Sequence, residues 1–317
     1  KLECIRLLRD AAVQNGAKEP YPLTSRTIGF GMGPRINAVG RLNESEKALD
    51  FMLAKDGVKV AKLMAELEGF NQERKALQEH LCNMIFEEIE EWPSIPPVIV
   101  HGSDEMHPGI AGLVAGKLRE KYNRPAFVCS FLEDGVATCS GRSIPQCDMG
   151  ESIDALEHLI HQGGGHTQAG GFRFSTDRFE EIREFLVNYA NERLSEADLK
   201  VRHEIEVELR PEDCTVRAIA ELSRLEPTGN AFPTPTFGVR GAILREVKSC
   251  RGEKHAFLYF SVGDSKPVKT TAWGEWETWK CAEIGAAHDL IVEVSVNTYQ
   301  GRSSVEWKLR GCRPHQP

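Results

Sequence analysis

The chain has 317 residues, 41% of them hydrophobic and 27% charged, with a formal net charge of −8. That length predicts two or three domains of ordinary globular composition. No apolar run approaches the ~20 residues of a membrane-spanning helix, and the acidic balance rules out a uniformly basic surface, so nucleic-acid binding must come from local clusters of Arg and Lys.

The first residue is Lys1, and "KLECIRLLRD" lacks the apolar core of a signal peptide, so a fragment of a longer protein is expected. Nine cysteines are scattered without a CxxC pair; this predicts reduced, cytoplasmic thiols and no structural zinc.

Residues 44–92 read as helices: "ESEKALDFMLAK" and "VKVAKLMAELEGFNQERKALQEHLCNMIFEEIEEW" keep apolar residues three and four apart. The second is long enough to connect two domains, and "PSIPP" (93–97) marks a boundary. Over 98–195 the predicted elements alternate. "PVIVHG" is a strand, "HPGIAGLVAGKLREKY" a helix opened by Pro108, "PAFVCSF" and "GVATCSG" are strands, "MGESIDALEHLIH" is a helix, "GGFRFS" a strand, and "TDRFEEIREFLVNYANERL" a helix capped by Thr176. This is the pattern of an α/β sheet domain. From 201 onward the texture is β. "HEIEVELR", "FGVRGAILREVKS", "HAFLYFSVG", "KPVKTTAWG", "DLIVEVSVNTY" and "SSVEWKLRG" are strands, with one helical stretch, "TVRAIAELSRL". Such strands suit a small β-barrel such as an OB-fold.

Three stretches carry chemistry suited to phosphate. In "HQGGGHTQAGGF" (161–172), Gly163, Gly164 and Gly165 can adopt positive φ and bring bare N–H groups against an anion, with His166 at the rim. A turn after a helix explains the same residues. In "CSGRSI", Ser140, Gly141, Arg142 and Ser143 combine two hydroxyls with a guanidinium that can fork onto two phosphate oxygens. Taken alone, a polar turn accounts for them more simply. In "GMGPRINAVGRLN" (31–43), Arg35, Asn37 and Arg41 lie in a stretch broken by Gly and Pro. The glycines and alanines of 109–116 suit close packing of a helix on the sheet. His158, His161 and His166 do not share one helix face, and no metal site is expected there.

These motifs in this order resemble the RecJ-type single-strand-specific DNA exonucleases of the DHH phosphoesterase superfamily. The residues that carry the likeness are "PRINAVGRL" (34–42), "NQER" (71–74), "HPGIAGLVAGKLREKYNRPAFV" (107–128), "SGRSI" (140–144), "GGGHTQAGGF" (163–172), "LEPTGNAFPTPTF" (225–237) and "YQGRSSVEWKL" (299–309). The resemblance implies the helical tail of a DHH domain over 1–70 and a connecting helix and linker over 71–97. A DHHA1 domain over 98–196 and an OB-fold over 201–313 follow. It implies a catalytic contact from His166 and its glycines near the scissile phosphate, and a terminal-phosphate site at Ser140 and Arg142. Asn37 and Arg41, with Arg35, would line the substrate path. The parent enzyme would use Mg2+ or Mn2+, held by an upstream domain; the chain has no DHH tripeptide and no Asp-x-Asp, so neither a metal nor independent hydrolysis is expected here. Single-stranded DNA is the implied ligand, a single-strand-binding protein or a helicase an implied partner, and a monomer the expected state. Residues 201–317 are formally neutral, so strand binding there would rest on Arg240, Arg245, Lys248, Arg251 and Lys254 with Tyr259. Phe257 and Tyr259 share a strand face, and at least one of them is expected to fill the core. Two other readings stay open: a non-catalytic strand-binding or docking module, and a phosphodiesterase for oligoribonucleotides or cyclic dinucleotides.

Overall fold

The structure, a computed structural model, describes residues 3–13, 23–229, 231–250 and 252–316. The chain forms two compact units, Lys1–Ala12 with Phe30–Val201, and Val13–Gly29 with Arg202–Pro317.

In the first unit, α1 (Glu3–Ala12), α2 (Gly33–Arg41) and α3 (Ser45–Leu53) pack on the first half of α4 (Gly57–Glu90). Leu8, Val39, Phe51, Val60 and Leu67 close this cluster. A π-helical turn over Thr27–Met32 leads into α2. The stretch read as a Gly/Pro-broken segment is therefore helical: Pro34 falls in the first turn of α2, where its missing N–H costs no intrahelical bond. Asp56 caps α4 by accepting from the Lys59 N–H at 2.9 Å. The 34 residues of α4 extend about 51 Å at 1.5 Å per residue. Its last turns bury Leu81, Cys82, Ile85 and Ile89 against the sheet domain.

That domain is a five-stranded sheet of β1 (Ile99–Ser103), β2 (Ala126–Phe131), β3 (Val136–Arg142), β4 (Gln162–His166) and β5 (Ala169–Ser175), ordered β1-β2-β3-β5-β4. β1 and β2 run parallel; the other neighbours are antiparallel. One face carries α5 (Pro108–Tyr122), packed with the end of α4 around Ile99, Ala126 and Val128. The other carries α6 (Met149–Asp154) and α7 (Phe179–Arg193) around Phe127, Cys139, Phe172 and Phe174. The helix expected over 149–161 stops at Asp154. Beyond it the backbone bonds tighten to three-residue spacing, as Leu156 to Ile153 and Leu159 to Leu156.

The second unit contains β6 (Val207–Glu208), α8 (Val216–Glu221), β7 (Phe237–Cys250), β8 (His255–Ser261), β9 (Val268–Ala272), α9 (Trp276–Trp279), β10 (Ala287–Tyr299) and β11 (Arg302–Pro314). Strand pairing runs β7-β8-β9-β11-β10 and returns from β10 to β7, with β9 and β11 parallel. This closed barrel is an OB-fold, filled by Val239, Leu244, Leu258, Phe260, Leu290 and Val292. "HEIEVELR" contributes only the two residues of β6. Ahead of them the chain is tied at Thr236, whose hydroxyl donates to the Glu204 carbonyl and whose backbone N–H donates to the Glu206 carboxylate at 2.7 Å, while the Glu206 N–H donates to the Thr236 carbonyl.

Among the described residues no helix is long and apolar enough to cross a membrane. The cysteines are free thiols, and Cys129 and Cys139 face each other across β2 and β3 in the buried core.

One polar latch holds the β7–β10 seam. Asp289 accepts from the Gly241 N–H at 3.2 Å, from Arg313 at 3.2 Å and from His315 Nδ1 at 2.6 Å. Burial opposes its ionisation, but His315, the Gly241 N–H and Arg313 outweigh that and hold the carboxyl below its ordinary range. A carboxyl so depressed stabilises the fold above its unfolded pKa and loses that contribution as pH falls through the folded value. Asp289→Asn is expected to lower barrel stability at neutral pH by about 1–2 kcal/mol. Thermal unfolding across pH should show the two proteins converging in acid; a constant gap would contradict the latch.

Candidate nucleic-acid interface

The three glycines before His166 form strand, not loop. β4 is an exposed edge strand paired with β5, and none of Gly163, Gly164 and Gly165 has positive φ. Their small size is used differently on the two faces. A Cβ on Gly163 would lie 2.9 Å from Ile153 and 2.7 Å from the Phe172 Cβ, and one on Gly141 would lie 2.5 Å from the Met149 sulfur. A Cβ on Gly165 would lie 2.8 Å from the Ala169 carbonyl oxygen across the tight β4–β5 connection. These glycines let α6 and the hairpin close onto the sheet. On the other face a Cβ on Gly164 would meet nothing within 4 Å.

Strand register assembles that open face. Arg142, Ala169 and His166 stand directly opposite one another across β3, β5 and β4, and the next row with the same orientation is Ser140, Gly171 and Gly164. Cross-strand partners project to one side. Arg142, Ser140 and His166 thus share a face, with bare backbone between them and about 10 Å separating the Arg142 and His166 backbones. His166 is exposed.

Arg142 lies against α5, where a Cβ on Gly112 would come 3.0 Å from Nη2. It donates to its neighbour's Gly141 carbonyl at 2.7 Å. Arg41, at the end of α2, donates at 2.9 Å to the Gly109 carbonyl in the first turn of α5. A Cβ on Gly109 would collide with the Arg41 carbonyl, so the two helix ends meet through bare backbone. Burial, then Arg41 and Arg119, lower the Arg142 pKa; burial, then Arg41, lower that of Arg74. Arg74 itself donates to Asn71 at 2.8 Å and Gln78 at 2.9 Å. Among the described residues no carboxylate pairs with Arg41, Arg74, Arg119 or Arg142. Arg41 thus lies near both Arg142 and Arg74, and Arg119 near Arg142, a grouping of positive charge in a chain of net charge −8.

Two residues expected in this site are used elsewhere. Arg35 is buried and spends its guanidinium on Glu68 at 2.6 Å, the Gly31 carbonyl at 2.7 Å and the Ala11 carbonyl at 2.9 Å. Ser143 is buried, and its hydroxyl donates to the Cys147 carbonyl at 2.6 Å. Asn37 is exposed one turn before Arg41 on α2, which places both on one helix face. His107 caps α5 by accepting from the Gly109 N–H. Arg74 and Arg119 escaped the sequence reading. Arg119 lies seven residues, two turns, beyond Gly112 on the same helix.

On the barrel, β8 alternates with Ala256, Leu258 and Phe260 inward. Phe257 and Tyr259 therefore both face outward, and neither fills the core. Lys269 sits 4.0 Å over the Phe257 ring and Lys248 5.1 Å over Tyr259. His255 meets Trp273 edge-on at 4.7 Å, and Trp273 is 45% exposed. The β8–β9 outer face thus carries aromatic rings and cations together. Lys248 also pairs with Glu246 at 2.9 Å, and Lys254 is exposed in the β7–β8 connection. Arg245 donates to Ser261 at 2.7 Å. Arg240 stands apart: it pairs with Glu208 at 3.1 Å, eight residues or roughly 27 Å along β7 from Lys248. Arg251 lies outside the described residues. Trp273, His255 and Lys269 were not singled out from sequence, although Trp273 directly continues β9.

Gly109→Ala is expected to destabilise the first unit by about 1–3 kcal/mol, because backbone must move to admit the methyl group. Gly164→Ala should leave its melting temperature unchanged. Equal shifts in thermal unfolding would mean that Gly164 is packed like the others.

Residues 96–192 match the family model of the DHHA1 domain, and residues 205–311 that of the RecJ OB domain. The single-stranded-DNA-specific exonuclease RecJ of Bacillus subtilis is 27% identical over 285 residues, covering 90% of this chain and 36% of that protein. The Thermus thermophilus RecJ is 29% identical over 280 residues, covering 88% and 39%; that of Escherichia coli is 26% identical over 306 residues, covering 93% and 52%. The crystal structure of RecJ in complex with Mg2+ from Thermus thermophilus matches with a TM-score of 0.82 at 26% identity, over 100% of this chain and 47% of that one. The chain spans about a third to a half of the length of these relatives. With a DHHA1 domain followed by a RecJ OB domain, the chain is similar to the RecJ exonucleases along most of its length.

Proposed function

We propose that this chain is the substrate-binding portion of a metal-dependent 5′→3′ exonuclease for single-stranded DNA, acting in repair and recombination. The observation that carries the reading is the open sheet face on which Ser140, Arg142 and His166 flank the bare strands at Gly164 and Gly171, with Arg41, Arg74 and Arg119 unneutralised beside it. In this proposal Ser140 and Arg142 hold the 5′-terminal phosphate and Arg41 supports the same charge. The glycine strand lets a nucleotide lie against the backbone, and His166 stands at the scissile side. Asn37 lines the path beside Arg41.

Relatives solved with Mg2+ and Mn2+ support a divalent-ion requirement for the whole enzyme. Among the described residues no group of three or more His, Cys, Asp or Glu side chains is placed to hold an ion. The residues present do not fit such a centre, and the chain's role in this proposal is to bind and orient the strand.

The barrel supplies the second surface. Phe257 and Tyr259 sit two residues apart on β8, about 6.8 Å along the strand, a separation at which an extended single strand can stack successive bases. Lys248, paired with Glu246, and Lys269, paired with Glu306 at 3.1 Å, stand beside the rings, and in this proposal they exchange those carboxylates for the intervening phosphates.

Two measurements test the reading. Fluorescence anisotropy with the same oligonucleotide carrying a 5′-phosphate or a 5′-hydroxyl should show tighter binding of the phosphorylated form. Arg142→Ala should remove that preference, about 1.5–3 kcal/mol for a charge-assisted contact; equal losses on both ends would refute a terminal-phosphate site. Trp273→Ala is expected to weaken binding of either oligonucleotide by about 1–3 kcal/mol. Its slope of affinity against salt should match that of the parent chain, because no cation is removed. A Trp273→Ala protein that binds as well as the parent would dismiss the aromatic face as a strand platform.

A further inference from the structure

The sheet has a second edge, remote in the strand order from β4. Among the described residues β1 pairs only with β2, and beside it runs a groove of about 450 Å3. Val98, Val100, Val187 of α7, Trp92 and Pro96 give it an apolar lining. α7 adds Glu180, Arg183, Glu184 and Asn188 to the rim. Arg183 is neutralised by Glu180, and among the described residues Glu184 has no cationic partner. Across the sheet, the end of α4 contributes the exposed Glu88, bonded to His101 of β1 at 3.2 Å; Glu87 and Glu91 are exposed in the same stretch, and Glu90 pairs with Lys121 at 3.5 Å.

We propose that this edge is a docking site for an extended, basic-apolar segment of a partner protein, added as a sixth strand beside β1. An unpaired edge offers backbone donors and acceptors, and alternate side chains of an added strand give specificity. Those facing α7 meet Val98, Val100, Val187 and Trp92 and are apolar. The alternate positions point to the opposite face, beside Glu88, and are Lys or Arg. The charge selects against two other occupants. An acidic tail is repelled, and a second copy of this edge would bring the same carboxylates together. The inference is independent of the strand-binding reading, because it uses none of the same residues.

Anisotropy of the whole chain with fluorescein-labelled, end-blocked hexapeptides tests it. A Val-Lys alternating peptide is expected to bind. A Val-Glu peptide, and a version with proline at the backbone-pairing positions, should bind at least tenfold more weakly. Glu88→Lys should weaken the Val-Lys peptide at least fivefold, while Glu133→Lys, on the exposed β2–β3 turn, should leave it unchanged. Failure of the Val-Lys peptide to bind overturns the proposal. Equal binding of the proline peptide overturns strand addition, and equal losses in the two lysine variants reduce the effect to net charge. A concentration-dependent dimer of the whole chain that leaves the Val-Lys peptide unbound would assign the edge to a second copy instead.

Discussion

Backbone proximity without side chains is the constraint on which the sheet domain depends. Across β3, β5 and β4, glycine at 141, 163, 165 and 170 admits α6 and closes the hairpin, since a methyl group at any of them would press on Met149, Ile153 or neighbouring backbone. Because those positions alternate with Ser140, Arg142, Gly164 and His166, the same tight packing on one side presents the polar residues on the other. Packing and recognition are two faces of one strand register. A one-residue slip would exchange them entirely.

Charge placed on that face is held by geometry. Arg142 rests on Gly112, Arg41 reaches the start of α5 through the gap at Gly109, and Arg74 is aligned by Asn71 and Gln78. Each guanidinium is fixed by neutral partners, which satisfies some of its donors, and among the described residues no carboxylate pairs with it. Arg35 shows the contrast within the same helix. Bonded to Glu68 and two carbonyls, it closes the helical cluster and has no free edge for a ligand. The barrel uses another chemistry, in which exposed rings take the place of fixed arginines and lysines lie over them.

Much of this was legible in residue order. Alternation placed β1, β2, β3 and the barrel strands, and the 3.6-residue pattern found α4 and α7. What escaped was set by tertiary context. "QGGGH" carries no strand propensity, and it becomes a strand because β5 supplies the ladder and α6 demands small residues. Ser143 and Arg35 look like ligand donors in sequence, but burial commits them to nearby carbonyls and a carboxylate. Phe257 and Tyr259 share one face, as their spacing predicts; which face it is depends on Ala256, Leu258 and Phe260 filling the barrel. Arg119 carries no local signal, since its place near Arg142 exists only after α5 has packed on the sheet.

α4 has a further mechanical meaning. Its first half is built into the cluster of α1, α2 and α3, and its last turns into the sheet domain, so one unbroken helix fixes both separation and azimuth between them. The helix is a ruler with a phase. Adding one residue in its middle would advance the far end by about 1.5 Å and rotate it by about 100°, carrying Arg41 and Arg74 away from the side of the sheet that bears Arg142. Adding seven would lengthen the ruler by two turns yet nearly restore the bearing. Length and angle in this unit are therefore separable quantities, and it is the angle that keeps arginines from α2 and α4 on the side of the sheet that bears the arginine from β3.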